Sequence, residues 1–265
     1  MVARAVPGPA VTASVVPSPL VPRTRSQGPV VVGVDGSLGV LTAVSWAACE
    51  AARRGVGLHL VHVGAGGEQG AGRGPTVLRR ARHTAAAVAP DLSVSVARPE
   101  GAAGPALAAL SARADRLVVG GRRPGDDPRA TRDHTLASVL ASARCPVVVV
   151  PPRRTGAWAS TPSARPVVAM LRGTAGDARV LALAADAARR HRVALLRAVP
   201  RTLRPATAVG APDPVVWDDL AGVRRLALGA QLLVVGEVGP RSADEMHGLL
   251  RRGPCAVMVA PPDPA

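Results

Sequence analysis

Apolar positions fall into three patterns along this chain. The first is the short run without alternation. Pro29 to Ser37 reads PVVVGVDGS, almost unbroken and β-branched until its Asp-Gly-Ser end. Such a run suits a strand buried on both faces, as in a parallel sheet. Leu58–Val63 (LHLVHV), Leu117–Gly120 (LVVG) and Cys145–Val150 (CPVVVV) are of the same kind. The second pattern has helical spacing. Within Leu38–Arg54, residues Leu41, Val44, Ser45, Ala48 and Ala52 share a face, Arg53 and Arg54 suit the negative end of the dipole, and Gly55 stops the helix. Further helices are predicted over Pro75–Val88, Pro105–Ala114 and Thr135–Arg144. The third pattern, alternation, occurs in Leu92–Ala97 (LSVSVA) and predicts a strand at a sheet edge. The order βαβαβαβαβ predicts a doubly wound parallel sheet with right-handed crossovers.

The second half repeats the first. Val167–Thr174 (VVAMLRGT) matches Val30–Ser37. Asp177–Arg190 is its helix and Val193–Val199 its second strand. Leu233–Gly236 then matches Leu117–Gly120, and Cys255–Pro262 (CAVMVAPP) matches Cys145–Pro152. The offset between copies shrinks from the first of these matches to the last. Its largest step places the main loss before the fourth strand, in the second helix or the third strand of the copy. The predicted organisation is a Pro/Arg tail over 1–28 that stays disordered, a domain over 29–152, a linker over 153–165 and a shortened domain over 166–262. Each domain is expected to hold a five-stranded open parallel sheet of Rossmann-like type.

Composition changes this picture little. The 265 residues are 48% hydrophobic, with no Phe or Tyr, and all 33 basic residues are Arg. That bias fits a GC-rich coding sequence and says nothing of function. The net charge of +15 is spread thinly over the segments, and no stacking aromatics accompany it, so no specific nucleic-acid binding is expected. Cys49, Cys145 and Cys255 lack CxxC spacing and read as small buried hydrophobes of a reducing compartment. No apolar stretch is long enough for a membrane span, and the N-terminal stretch has no continuous apolar core like that of a signal peptide. The expected location is the cytoplasm.

The order of elements, with GVDGS, WAACEAARRG, LHLVHV, LVVGG and ARCPVVVVP, resembles the universal stress protein family in its tandem form. The resemblance implies an adenine nucleotide alpha hydrolase-like sheet of order 3-2-1-4-5. Its reversal lies between the first and fourth strands, where ligands of open α/β sheets bind. It also implies ATP as ligand. An Asp after the first strand contacts the nucleoside, the His-Val end of the second strand meets adenine, and a loop G-x2-G-x9-G-[ST] holds phosphates. Glycines let backbone N–H groups approach phosphate, and a helix N-terminus adds its dipole. Asp35, Val63, Gly120 and Ser138 match this pattern, the last across a gap longer than the motif allows. Arg122 and Arg123 are the anion-contact candidates, although Arg123 replaces the second glycine and Ala137 the third. In the second half Gly236 and Gly239 fit G-x2-G with Gly248 after them, but Leu249 replaces the hydroxyl and Arg172 the aspartate. That half reads as a structural partner in a pseudo-dimer, its fifth strand pairing antiparallel with that of the first. A further homodimer is left open.

The remaining candidates read as structural. His59 and His62 stand alone on a strand without a partner motif, and His134 reads as a solvated or capping residue. No G-x-S-x-G elbow, HExxH, Walker loop or paired carboxylates occur, so no enzyme is expected. Three functions follow: a regulatory stress-response protein binding ATP in its first half, a nucleotide-free scaffold acting through unknown protein partners, or a slow ATPase in the same crevice.

Overall fold

The computed structural model describes residues 28–37, 39–64, 73–121, 132–152, 164–203, 214–237, 249–250 and 253–262. The first half contains β1 (Val30–Gly33), α1 (Val40–Arg54), β2 (Leu58–Val61), α2 (Arg73–Val88), β3 (Val94–Ala97), α3 (Ala103–Ser111), β4 (Arg116–Gly120), α4 (Arg132–Ser142) and β5 (Val147–Val150). The second contains β6 (Val167–Met170), α5 (Asp177–His191), β7 (Leu195–Pro200), a 3₁₀ turn (Arg201–Leu203), β8 (Val215–Trp217), α6 (Leu220–Gly229), β9 (Leu232–Val235) and β10 (Ala256–Val259). The α/β class and the edge position of Leu92–Ala97 are as the sequence predicts. The tail over 1–27, most of the linker and the Gly-rich stretch 65–72 lie outside the described residues.

The strands form one sheet of ten, in the order β3-β2-β1-β4-β5-β10-β9-β6-β7-β8. The two five-stranded sheets expected of the halves are joined into this one through their fifth strands, as the sequence predicts. The fifth strands pair antiparallel, with Val149 opposite Val257, Val148 opposite Met258 and Val147 opposite Val259. The physical reason is that all-apolar edges left bare would present unpaired N–H and C=O groups to any passing strand. Every other pairing in the sheet is parallel. Each half thus has the order 3-2-1-4-5 on its own strands. β8 stands third among the strands of the second half, and the stretch 201–214 that separates it from β7 is shorter than the 16-residue α2.

Strand residues alternate between two cores because side chains alternate across a sheet. Val30, Val32, Leu58 and Leu60 face α1 and α2, and the same layer continues through Met258 and Val234 to α5. Val31, Val61, Val119 and Val149 face α3 and α4, and that layer continues through Val257 and Val235 to α6. Both cores cross the seam between the halves.

One polar cluster is buried at this seam. Glu50 and Arg54 of α1 meet Asp115, Arg116 and two residues of α5. Arg54 donates to Glu50 at 2.9 Å and to Asp186 at 2.6 Å. Arg116 donates to Asp115 at 2.8 Å, and its Nη1 lies 2.8 Å from Glu50 Oε1, ionic but out of line for a hydrogen bond. His191 Nε2 stands 2.8 Å from Glu50 Oε2, and its Nδ1 stands 3.2 Å from Gln231 Oε1. Burial pushes the Glu50 carboxyl up, but the hydrogen bond and charge of His191, with Arg54, outweigh it and hold it below the ordinary range. Asp186 likewise loses solvation yet is held low by Arg54 and Arg190.

Cys145 and Cys255 are buried and Cys49 half-buried. Burial, with the Asp115 charge, pushes the Cys145 thiol up to about 12, consistent with a packing role. Among the described residues, no helix is long and apolar enough to cross a membrane.

Candidate functional site

β1 and β4 are neighbours, but the helices that follow them lie on opposite faces of the sheet, so a crevice opens at their C-terminal ends. It encloses about 110 Å³. Val34, Val40, Val61, Leu107 and Val119 make it largely apolar; Asp35 and Thr135 supply its polar side chains, and Gly120 its edge.

The turn that carries Asp35 is locally determined. Asp35 Oδ1 accepts from the Ser37 N–H at 2.9 Å, an Asx turn, and Gly36 adopts φ 83°, where a side chain is disfavoured. Ser37 Oγ and O both accept from the Val40 N–H at 3.3 Å, which ties the turn to the first residue of α1. The Asp35 carboxylate is exposed at the mouth of the crevice.

Val63 also lines the crevice. In β2 and beyond, the N–H groups of His62 and Gly64 donate to β3 and its extension, at Ala97 O (3.1 Å) and Pro99 O (3.0 Å). By the alternation of a strand, Val63 turns its N–H and C=O the other way, over the end of β1. Neither group has a backbone partner among the described residues.

The structure thus brings Asp35, Val63 and Gly120 around one crevice, although they come from three strand ends far apart along the chain. It does not bring Ser138 there. A β-carbon built on Gly104 of α3 would stand 2.6 Å from both Cβ and Oγ of Ser138, so this serine packs helix on helix. Thr135, one turn earlier on α4, lines the crevice instead. Keeping the spacing of the phosphate motif after Arg123 places Asp133 and His134 at its end, which agrees with α4 beginning at Arg132. Arg122 and Arg123 lie outside the described residues.

The corresponding turn of the second half is filled by its own side chains. Asp177 stands where Val40 stands in the first half. Its carboxylate accepts from the N–H of Arg172 at 3.1 Å and of Gly173 at 2.8 Å, and from Thr174 Oγ1 at 3.3 Å. A β-carbon on Gly173 would lie 2.5 Å from Leu203 Cδ1, so Leu203 covers this turn. Arg201, in the 3₁₀ turn that carries Leu203, pairs with both carboxylate oxygens of Asp218 at the surface.

Residues 28–151 match the model of the universal stress protein family. A universal stress protein from Archaeoglobus fulgidus DSM 4304 superposes on 89% of this chain and 99% of its own, at 12% identity and a TM-score of 0.66. A functionally unknown protein from Pseudomonas aeruginosa PAO1 covers 90% of this chain and 94% of its own, at 16% identity and a TM-score of 0.59. At these identities both speak for the fold alone. A universal stress protein in complex with cAMP is 28% identical over 48% of this chain and 99% of its own, with a TM-score of 0.40. Among curated proteins, none matches.

Proposed function

We propose that the first half, residues 29–152, binds an adenine nucleotide, ATP among them, as a regulatory stress-response protein. The observation that carries this reading is the meeting of Asp35, Val63 and Gly120 at one apolar crevice. Val63 offers an N–H donor and a C=O acceptor side by side. Adenine presents an acceptor and an exocyclic amine donor on its matching edge, whereas guanine presents the reverse. The Asp35 carboxylate is an acceptor for ribose hydroxyls. The start of α4 faces the crevice through Thr135, where a helix dipole favours phosphate.

The site reads as a binder and not as an enzyme, because Asp35 is the sole titratable side chain among its described lining residues. The second half, residues 166–262, reads as a degenerate copy that serves as the pseudo-dimer partner. A specific observation favours a second reading, a nucleotide-free scaffold: Arg123 and Ala137 stand where the phosphate loop needs glycine.

The two readings separate in one experiment. Freshly purified protein is denatured and the released ATP, ADP and AMP are counted per chain by mass-resolved chromatography. About one adenine nucleotide per chain, lost in Asp35→Ala, supports the first reading. None, with no thermal shift in added ATP, supports the scaffold.

A further inference from the structure

Backbone accounting at the end of β1 exposes a substitution in the ladder. β1 and β2 exchange regular parallel bonds: Val30 donates to Gly57 O at 2.9 Å and Val34 to Val61 O at 2.7 Å. The next rung of a parallel ladder would run from the Val63 N–H to the Val34 carbonyl. That rung is not made. The Val34 carbonyl is taken instead by His62 Nδ1, at 2.7 Å. A carbonyl only accepts, so Nδ1 carries the hydrogen. The ring is also wedged in place, since a β-carbon built on Gly74 of α2 would lie 3.0 Å from its Cδ2 and 2.7 Å from Arg98 Nε.

We propose that His62 is a positioning residue: by taking the Val34 carbonyl it keeps the Val63 backbone edge open, and so makes the crevice selective for a base with a ring acceptor beside an exocyclic amine. The proposal rests on the crevice being a nucleotide site. Its logic is that of an exchanged partner. The Val34 N–H stays bonded to Val61, which holds the strand end in register. Only the last rung passes from backbone to side chain, and the Val63 N–H is thereby released. Without the imidazole, the Val34 carbonyl would be left unbonded beside an unbonded N–H, and the two would close on each other. The donor that reads the base would then be spent within the protein.

The test uses the full chain with His62→Ala, His62→Gln and His62→Asn. Asn places an amide donor near the position of Nδ1, whereas Gln carries its donor one bond further and serves as a bulkier second disrupting variant. Hydrogen exchange of the Val63 amide in nucleotide-free protein is the direct readout. Fast exchange in wild type and His62→Asn, with about tenfold or more protection in His62→Ala and His62→Gln, is expected. AMP affinity by calorimetry should fall about tenfold in the two disrupting variants, the loss of one good hydrogen bond, and stay within about threefold in His62→Asn. Preference for AMP over GMP should fall with it. A Val63 amide that exchanges equally fast in all four proteins overturns the proposal, as does unchanged AMP binding in His62→Ala. A wild-type protein that binds no AMP sinks the nucleotide reading, while the exchange data still decide what His62 does to Val63.

Discussion

The turns after β1 and β6 begin alike and end differently. Both place glycine at positive φ, Gly36 at 83° and Gly173 at 75°. After Gly36 the chain reaches Val40, which lines an open crevice; after Gly173 it reaches Asp177, whose carboxylate folds back onto the turn. The second turn therefore supplies its own anion, and the exposed Leu203 lies over its glycine. A strand order can be duplicated while the space at its switch point is consumed. Whether a site exists is settled by the few side chains that enter the crevice, not by the sheet.

The largest expected effect tests whether the halves are one cooperative unit. Glu50→Ala leaves Arg116 and His191 without their shared buried carboxylate, and breaking such a pair costs about 3–5 kcal/mol. Urea unfolding should shift as a single transition; two separated transitions would show halves that fold independently. Acid should act through the same cluster. The folded-state pKa values of Glu50 and Asp186 lie below the ordinary 4.5 and 3.8. Their contribution is fully present above those values and is lost as pH falls through the lower folded-state ones. The acid limb of the melting curve should accordingly be shallower in Glu50→Gln.

The comparison of crevices is tested next. Asp35→Ala should weaken AMP binding by about tenfold or more by calorimetry, whereas Arg172→Asp should create no second site, because Asp177 and Leu203 remain in place. A second equivalent of bound AMP in Arg172→Asp would break the comparison. Asp177→Val, which gives the second half the residue of the first, should cost about 1–2 kcal/mol in a urea titration as two N–H groups lose their acceptor. The smallest effect concerns the helix ends. Gly55 and Arg192 close α1 and α5 in the same left-handed conformation, at φ 66° and 55°. Arg192→Gly should stabilise by up to about 1 kcal/mol, read as a raised thermal midpoint, because only the non-glycine residue is strained there.

The sheet was legible because strands buried on both faces carry unalternating apolar runs, as in VVVV of β5 and AVMV of β10. The turn chemistry of Asp35 and Ser37 was legible too, since its bonds join near neighbours in the chain. β8 was harder: the short VVW among prolines gives no period to read. Ser138 was misplaced because spacing along a loop does not report where the next helix starts, and a small error in phase moves a side chain off the crevice. His62 and Leu203 act on Val34 and Gly173, which lie a whole helix or more away along the chain. Contacts of that range belong to the fold and leave no local pattern.

The antiparallel joint between β5 and β10 has a geometric consequence. All strands of one half point one way and all strands of the other point back, so the C-terminal ends of the two sets lie on opposite rims of the slab. The open crevice sits on one rim and its filled counterpart on the other, with a strand length between them. A ligand entering the first rim and a macromolecule settling on the second would never compete for space. The antiparallel joint thus gives the molecule two rims that face opposite ways, one with an open crevice and one with a turn closed on Asp177.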